Sequence, residues 1–334
     1  MSEPIRRKRW KLVLLIFVAM LALTGGAAFS QRTALQTWYY AYRLEHAGAE
    51  DRRQWADKLV AQGEPAVPRL LTCLQKDDQA LCEEVRGALE RMLAEWGSKD
   101  PRSGMLADKF FEMHPNFSPA GQVAALQILS EILAAGGIEA AAKARTVVSA
   151  ALKDRMPEAR YMGVLLANRV ELNLLPSVIP LLDDSDPRIR RAALMALGPI
   201  REGPAGIEKP LVEADQLLRY LHDPDPEMRR LCEVMLVKSR GLSERVVNYG
   251  RQLTHPDPME RLKLLLELAD EEDVDHRVWL QRLSEDPDSA VRAGAARVAT
   301  ERQVDFAEQL ERMMQTDADG TVRKIAEYYR RKYP

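Results

Sequence analysis

The chain has 334 residues and a formal net charge of −2, and a 46% hydrophobic content with only six Phe suits a core of Leu and Ala. The first 30 residues carry five cations and one acid, a net of +4, so residues 31–334 sum to −6. Nucleic-acid-binding domains normally carry a basic excess, because neutralised phosphates supply most of the affinity. This charge therefore disfavours nucleic acid as a partner.

The N-terminus has the pattern of an export signal. Five basic residues within the tail 1–11 precede Leu12–Phe29, a run of 18 residues without charge. That length is near the lower limit for a spanning helix and exceeds most signal-peptide cores. We favour an uncleaved signal anchor over 12–30, with the N-terminus in the cytoplasm and the rest of the chain on the extracytoplasmic (periplasmic) side. The alternative is a signal peptide cut near Ala28 or Ser30, which would release a secreted soluble module.

Residues 31–50 are predicted to form a juxtamembrane helix or linker rich in aromatic side chains. The aromatic residues are Trp38, Tyr39, Tyr40 and Tyr42. They fit an interfacial collar, because Trp and Tyr favour the membrane–water boundary. They equally fit the apolar face of a first helix that caps the following domain, which Trp55 and Leu59 at helical spacing favour. Both interpretations stay open.

An arginine recurs through the last two-thirds of the chain at intervals of 30 to 39 residues. The arginines are Arg160, Arg190, Arg229, Arg261, Arg292 and Arg323. In five cases an aspartate lies six positions earlier, and His255 takes that place before Arg261. The aspartates are Asp154, Asp184, Asp223, Asp286 and Asp317. This register predicts a tandem repeat of helix pairs, in which each arginine lies near the start of a second helix.

The residues that follow each arginine predict which side of the helix is buried. Positions three and seven after it are apolar or small, as in Ala193 and Leu197, and lie on one helical face. Arg330 breaks the rule in the last repeat, as a terminal repeat with no outer neighbour requires. The predicted first helices are Pro65–Leu74, Thr146–Leu152, Leu174–Leu182, Leu211–Leu221, Val246–Leu253, Val278–Leu283 and Phe306–Met314. Runs with strand periodicity are absent, so strands are not expected.

The turns before the second helices predict caps and a structural ladder. Asp186-Pro187, Asp225-Pro226 and Asp257-Pro258 each place a carboxylate at the N-cap and proline at the first helical position. We expect the earlier aspartate to pair with an arginine or with backbone N–H groups and so to form a ladder along the stack. The ladder comprises Asp154, Arg160, Asp184, Arg190, Asp223, Arg229, Asp286, Arg292, Asp317 and Arg323.

The segment Leu182–Ala193 reads Leu-x-Asp-x-Asp-Pro-x-Ile-Arg-x-Ala-Ala, which resembles the HEAT repeat, and more narrowly its short bacterial, phycobilisome-lyase-type form. The resemblance is good over 146–334 and fair over 55–135. It implies an all-α, α-solenoid fold over 51–334 with about eight repeats. It also implies a right-handed superhelix whose second helices line the concave face. HEAT proteins differ widely in ligand, so the resemblance names no activity.

The sequence carries no catalytic, cofactor or metal motif. We therefore predict a non-catalytic scaffold, without cofactor, that binds a protein or peptide partner. Candidate contacts on the second helices are Arg188, Arg191, Arg230, Glu233, Glu260 and Lys263. An enzymatic alternative is a bilin lyase or isomerase like the namesake of the repeat, although such enzymes act in the cytoplasm.

Two further features are local. Gly198–Pro210 lengthens one interval to 39 residues and predicts an extended loop. The three cysteines exclude a complete internal disulfide framework, but Cys73 and Cys82 could bridge a helix pair in an oxidising compartment.

Overall fold

The computed structural model describes residues 32–198, 202–203, 206–207, 210–271 and 275–332, with the backbone alone at 136–138, 202–203 and 206–207. The chain divides into two compact units, Met1–Val178 and Ile179–Pro334. Apart from one short strand pair, every regular element of the described residues is helical. The predicted anchor over 12–30 lies outside the described residues. Within the described residues, no helix is both long enough and apolar enough to cross a membrane.

The first unit contains seven α-helices and three short 3-10 turns among its described residues. The helices are α1 over 32–46, α2 Ala49–Val60, α3 Val67–Cys73, α4 Gln79–Trp96, α5 Pro101–Met113, α6 Pro119–Ala151 and α7 Pro157–Ala167. The 3-10 turns are Glu64–Ala66, His114–Asn116 and Val170–Leu172. Proline occupies the first turn of α3, α5, α6 and α7, where its missing N–H costs no helical hydrogen bond.

Helix α1 packs against α2 through one face and exposes aromatic side chains on another. Leu44 is fully buried, and the Tyr40 ring lies 6.0 Å from that of Trp55 in α2. The exposed side chains recur at helical spacing and are Leu35, Trp38, Tyr39 and Tyr42. The structure therefore shows both a packed face and an outward aromatic stripe on the same helix.

Helix α6 is a single helix of 33 residues, which corrects the prediction of a separate first helix at Thr146–Leu152. The predicted segment forms the last turns of α6, so no turn separates it from the helix that begins at Pro119. Residues 120–151 contain no proline, and alanine is frequent there. Without proline, the alanine-rich segment continues as helix through Gly136-Gly137, where a regular repeat would turn.

The second unit is built from first and second helices in alternation. The second helices are α8 Pro187–Leu197, α10 Pro226–Lys238, α12 Pro258–Asp270, α14 Ser289–Glu301 and α16 Gly320–Lys332. The first helices are α9 Ala214–Leu218 with the 3-10 turn Arg219–His222, then α11 Glu244–Leu253, α13 His276–Leu283 and α15 Ala307–Thr316.

The helix predicted at Leu174–Leu182 is a 3-10 segment, Leu175–Asp183, that crosses the division between the units. Pro180 lies inside it and cannot donate the backbone hydrogen bond of an α-helical turn. The element is therefore present where the repeat register places it, but in the tighter helical form.

The predicted buried face of the second helices is confirmed. Leu264, Leu268, Ala295, Ala299 and Ala326 are all fully buried. In the last three pairs they join first-helix residues such as Trp279 and Leu310 in one continuous apolar cluster. Small residues at the first of these positions let neighbouring helices approach closely, which gives each pair a thin core shared with the next.

The insertion Gly198–Pro210 contains one short antiparallel strand pair, β1 Glu202–Gly203 and β2 Gly206–Ile207. Glu202 pairs with Ile207, and Gly203 pairs with Gly206. Strands were not expected here. Two residues per strand lie below the length at which an alternating pattern is readable in the sequence.

Candidate functional site

Each ladder aspartate organises the turn that precedes its second helix. One carboxylate oxygen accepts a hydrogen bond from the backbone N–H two residues later, at 2.8–2.9 Å. The pairs are Asp154–Met156, Asp184–Asp186, Asp223–Asp225, Asp286–Asp288 and Asp317–Asp319. In four of these turns the next residue so presented to the start of the helix is an aspartate, whereas after Asp154 it is Met156, which makes no side-chain cap hydrogen bond.

That next aspartate caps the second helix. Its side chain accepts from the N–H two residues further on, at 2.7–3.3 Å. The caps are Asp186, Asp225, Asp257, Asp288 and Asp319. Two aspartates in sequence thus satisfy backbone donors that the turn and the helix would otherwise leave unpaired.

Each register arginine closes the same turn from inside the helix. Its Nη1 donates to the carbonyl oxygen six residues earlier, at 2.5–2.9 Å, and to the one five residues earlier, at 3.0–3.2 Å. All six arginines do this: Arg160, Arg190, Arg229, Arg261, Arg292 and Arg323. The constant six-residue spacing follows, because at this spacing the guanidinium lies next to both carbonyl oxygens of the turn.

In the second unit, Arg190, Arg261 and Arg292 also reach the following repeat. Nε and Nη2 donate to both carboxylate oxygens of the next ladder aspartate at 2.7–2.9 Å. The pairs are Arg190–Asp223, Arg261–Asp286 and Arg292–Asp317. Where an aspartate follows in the register, the ladder therefore joins consecutive turns of the second unit by bidentate ion pairs.

The ion pairs shift the pKa of Arg190, Arg292 and Asp317. The hydrogen bond from Arg292 holds the pKa of Asp317 below its usual value. The hydrogen bond to Asp223 likewise raises the pKa of Arg190 above that of a free guanidinium. In the Arg292–Asp317 pair the pKa of Arg292 is raised as well, so each member stabilises the charged form of the other.

An equivalent pair joins helices of the first unit, and sequence reasoning missed it. Arg52 of α2 donates from Nη1 and Nη2 to the two oxygens of Asp78, at 3.1 and 2.5 Å. Asp78 also caps α4 by accepting from the N–H of Leu81. The hydrogen bond from Arg52 lowers the pKa of Asp78. The turn before α4 has a different length, which hid this pair from the register.

The line of ion pairs is interrupted at the turn where histidine replaces aspartate. The Nδ1 of His255 lies 3.1 Å from the N–H of Asp257, so the ring nitrogen takes over the turn-closing role. An imidazole lacks the two carboxylate oxygens that a bidentate pair needs, and Arg229 is exposed and forms no ion pair within the described residues. The ring of His222 lies edge-on to His255 at 5.0 Å and fills the same turn.

The candidate contact residues lie on the solvent side of α8, α10 and α12, and each forms an ion pair. The pairs are Arg188–Asp186, Arg191–Asp225, Arg230–Glu227, Glu233–Arg251 and Glu260–Lys263, at 2.6–3.0 Å. Only Glu260 and Lys263 contact one another. Surface ion pairs of this kind contribute about 0–1 kcal/mol, so they exchange readily with water or with a partner.

A second feature of the second helices was missed by sequence reasoning. The position five after each register arginine is apolar and exposed by 45–58% in five repeats. These residues are Leu165, Met195, Val234, Leu266 and Tyr328. Position five is two residues from both buried positions, about 200° around the helix, so it points away from the core. The pattern is readable in the sequence once the buried face is assigned.

In the last three pairs, these exposed positions border a depression that we call the second-helix trough. It is lined by Met259, Leu262, Leu265 and Leu266 of α12, by Ala290, Ala293, Gly294 and Arg297 of α14, and by Thr321, Lys324, Ile325, Tyr328 and Tyr329 of α16. Its volume is about 650 Å³. A volume of that size suits an apolar segment of a ligand.

The trough exists because its middle helix contributes small side chains. A Cβ on Gly294 would lie 2.6 Å from Cδ1 of Leu265, so α14 and α12 approach closely there. Ala293 next to it adds only a methyl group. Large side chains of α12 and α16, such as Leu266 and Tyr328, therefore stand on either side of a low centre.

The cysteines are free thiols and all three are buried. Burial raises the pKa of Cys73 and of Cys232 to about 12, which makes both thiols poor nucleophiles. The Sγ of Cys232 donates to the carbonyl oxygen of Leu217 at 3.1 Å. No group of three or more potential metal ligands occurs within the parts of the chain that the structure describes.

The family comparison matches a single repeat. Residues 174–200 match the model of the HEAT repeat, and this stretch contains the ladder residues Asp184 and Arg190. No curated protein matches the chain. The match and the helical fold of the described residues together support a HEAT-repeat family.

The ladder predicts a large stability difference between a buried and an exposed ion pair. The side chains of Arg261 and Asp286 are only 9% and 5% exposed, against 79% and 42% for Arg331 and Glu327. Asp286→Asn should lower the free energy of unfolding by about 3 kcal/mol, because it leaves a buried guanidinium without its counter-charge. Glu327→Gln, the control, should change it by less than about 0.5 kcal/mol. Urea denaturation of both variants measures the difference, and equal losses would contradict a structural ladder.

Proposed function

We propose that the chain is a non-catalytic helical-repeat scaffold that binds a protein or peptide on the exposed face of its second helices. The observation that carries this proposal is the repeated exposure of an apolar residue at position five, together with the second-helix trough. A contiguous apolar surface is costly to leave in water, and in soluble domains it usually marks a site of association.

The other surfaces of the second unit are less suited to binding a partner. The ladder groups are already saturated by hydrogen bonds within the chain, as the contacts of Arg261 and Arg292 show. The opposite side of the second helices is filled by the core. The HEAT resemblance implies that partners are held by second helices, and the trough is lined by second helices.

The binding face is tested by site-specific photo-crosslinking in the native host. A photoreactive amino acid at Leu266 or at Tyr328 should yield the same discrete adduct, because both side chains border the trough. The matched control is Val278, which is similarly exposed but lies on the first helix α13, outside the trough. An adduct from Val278 alone, or none from the two trough positions, would contradict this binding face.

We further propose that Leu12–Phe29 anchors the scaffold in a membrane and that the described domain lies outside the cytoplasm. Support comes from the five basic residues before this run and from the outward stripe Leu35, Trp38, Tyr39 and Tyr42 on the helix that follows it. Amphipathic aromatic rings next to an apolar segment favour the interfacial region of a bilayer.

Protease treatment of intact spheroplasts tests the anchor. A C-terminally tagged full-length chain should stay in the membrane fraction at full mass and be degraded by external protease, because the repeats would face outward. A soluble product that begins near Gln31 would instead establish a secreted module. A protected chain would overturn the export proposal altogether.

A further inference from the structure

We infer that the second-helix trough binds an amphipathic helix whose apolar face is flanked by acidic side chains. This inference rests on the proposed function and names the class of partner for that site. The inference rests on the charge and the shape of the trough, and not only on the exposure of its apolar side chains.

The charge of the trough is positive. Its only charged lining residues are Arg297 of α14 and Lys324 of α16. Lys324 is exposed and forms no ion pair within the described residues, and Arg297 contacts only Glu301, one turn later on its own helix, at 3.8 Å. Two cations on an apolar surface favour a ligand that brings carboxylates to them.

The local charge contrasts with the charge of the chain. Residues 31–334 sum to −6, so the long-range field of the domain repels an acidic ligand. A preference for acidic over basic ligands would therefore report the contacts at Arg297 and Lys324 and not the net charge.

The dimensions of the trough suit a short helix. It crosses three adjacent second helices, and packed helices lie about 8–10 Å apart, so its length is roughly 20 Å. A helix of about 14 residues has that length at 1.5 Å per residue. One apolar stripe of such a helix fills the space above Ala293 and Gly294, while its flanking carboxylates reach Lys324.

The equivalent surface of the earlier pairs does not share this chemistry. The positions of α12 that place Met259 and Leu262 in the trough hold Arg188 and Arg191 in α8 and are charged in α10 as well. Arg188 and Arg191 pair with Asp186 and Asp225. Among the second helices of the second unit, an apolar helix therefore has its binding site on α12, α14 and α16, and not on α8 and α10.

Two fluorescein-labelled peptides of 14 residues test the inference. Both carry leucine at alternating spacings of three and four, with glutamate at all other positions in one and lysine in the other. The full-length chain is placed in lipid nanodiscs, so that detergent cannot occupy the trough, and anisotropy is measured. We expect the glutamate peptide to bind at least about tenfold more tightly, with a preference that falls as salt is added.

Three variants locate the binding. Lys324→Glu should weaken the glutamate peptide by about fivefold or more without weakening the lysine peptide. Leu266→Asp should abolish binding of the glutamate peptide, because it places a charge on the trough wall. Val278→Asp, an exposed apolar position outside the trough, should change nothing. Unchanged melting of the three variants shows that the fold is intact.

The contrary outcomes separate this inference from the proposed function. Equal affinity for both peptides that Leu266→Asp abolishes would overturn the acidic partner and leave the binding face standing. Equal affinity that Leu266→Asp leaves unchanged would overturn both. Absence of peptide binding would overturn the acidic helix alone, since crosslinking tests the face independently. A dimer seen by sedimentation and lost in Leu266→Asp would make a second copy of this chain the occupant.

Discussion

A buried guanidinium holds consecutive repeats together, and the rest of the second unit is arranged around its hydrogen bonds. Arginine offers five N–H donors in a rigid plane. In Arg261, Nη1 donates to two carbonyl oxygens of its own turn, while Nε and Nη2 donate to both carboxylate oxygens of Asp286 in the next turn. Removing such a charge from water is expensive, and this near-complete set of acceptors is what offsets the cost. These hydrogen bonds fix the position of one turn relative to the next.

The same arrangement explains which side of the second helices is left to bind a partner. The ladder lies at the turns, the core lies between the helix layers, and each is internally satisfied. The remaining side of the second helices has no structural task, and there the chain exposes Leu266 and Tyr328. The gap at His255 breaks the line of ion pairs between Asp223 and Arg261, so the last three pairs, which carry the second-helix trough, form a separate run of the ladder.

The sequence predicted these features to different extents. The buried face was predictable from Ala193 and Leu197 because helical spacing alone decides it. The cap at Asp186 was predictable because Asp-Pro has one favoured place in a helix. The partner of Arg190 was not, since Asp223 is 33 residues away and only the packed stack brings them together. The continuous helix α6 was not predictable, because the repeat register is read from short local patterns and does not reveal that a turn is absent. The exposed apolar position is visible in the sequence only after positions three and seven fix which face of the helix is buried.

The central claim is that the ladder couples neighbouring repeats energetically and not merely by proximity. A double-mutant cycle on Arg261→Met and Asp286→Leu tests it most directly, because the cycle removes what each side chain contributes to its own turn. The account predicts a coupling free energy of at least about 2 kcal/mol, with the double variant more stable than the sum of the single losses implies. A coupling within about 0.5 kcal/mol of zero would show that the two residues stabilise their turns separately, and it would contradict the ladder as the organising interaction of this structure.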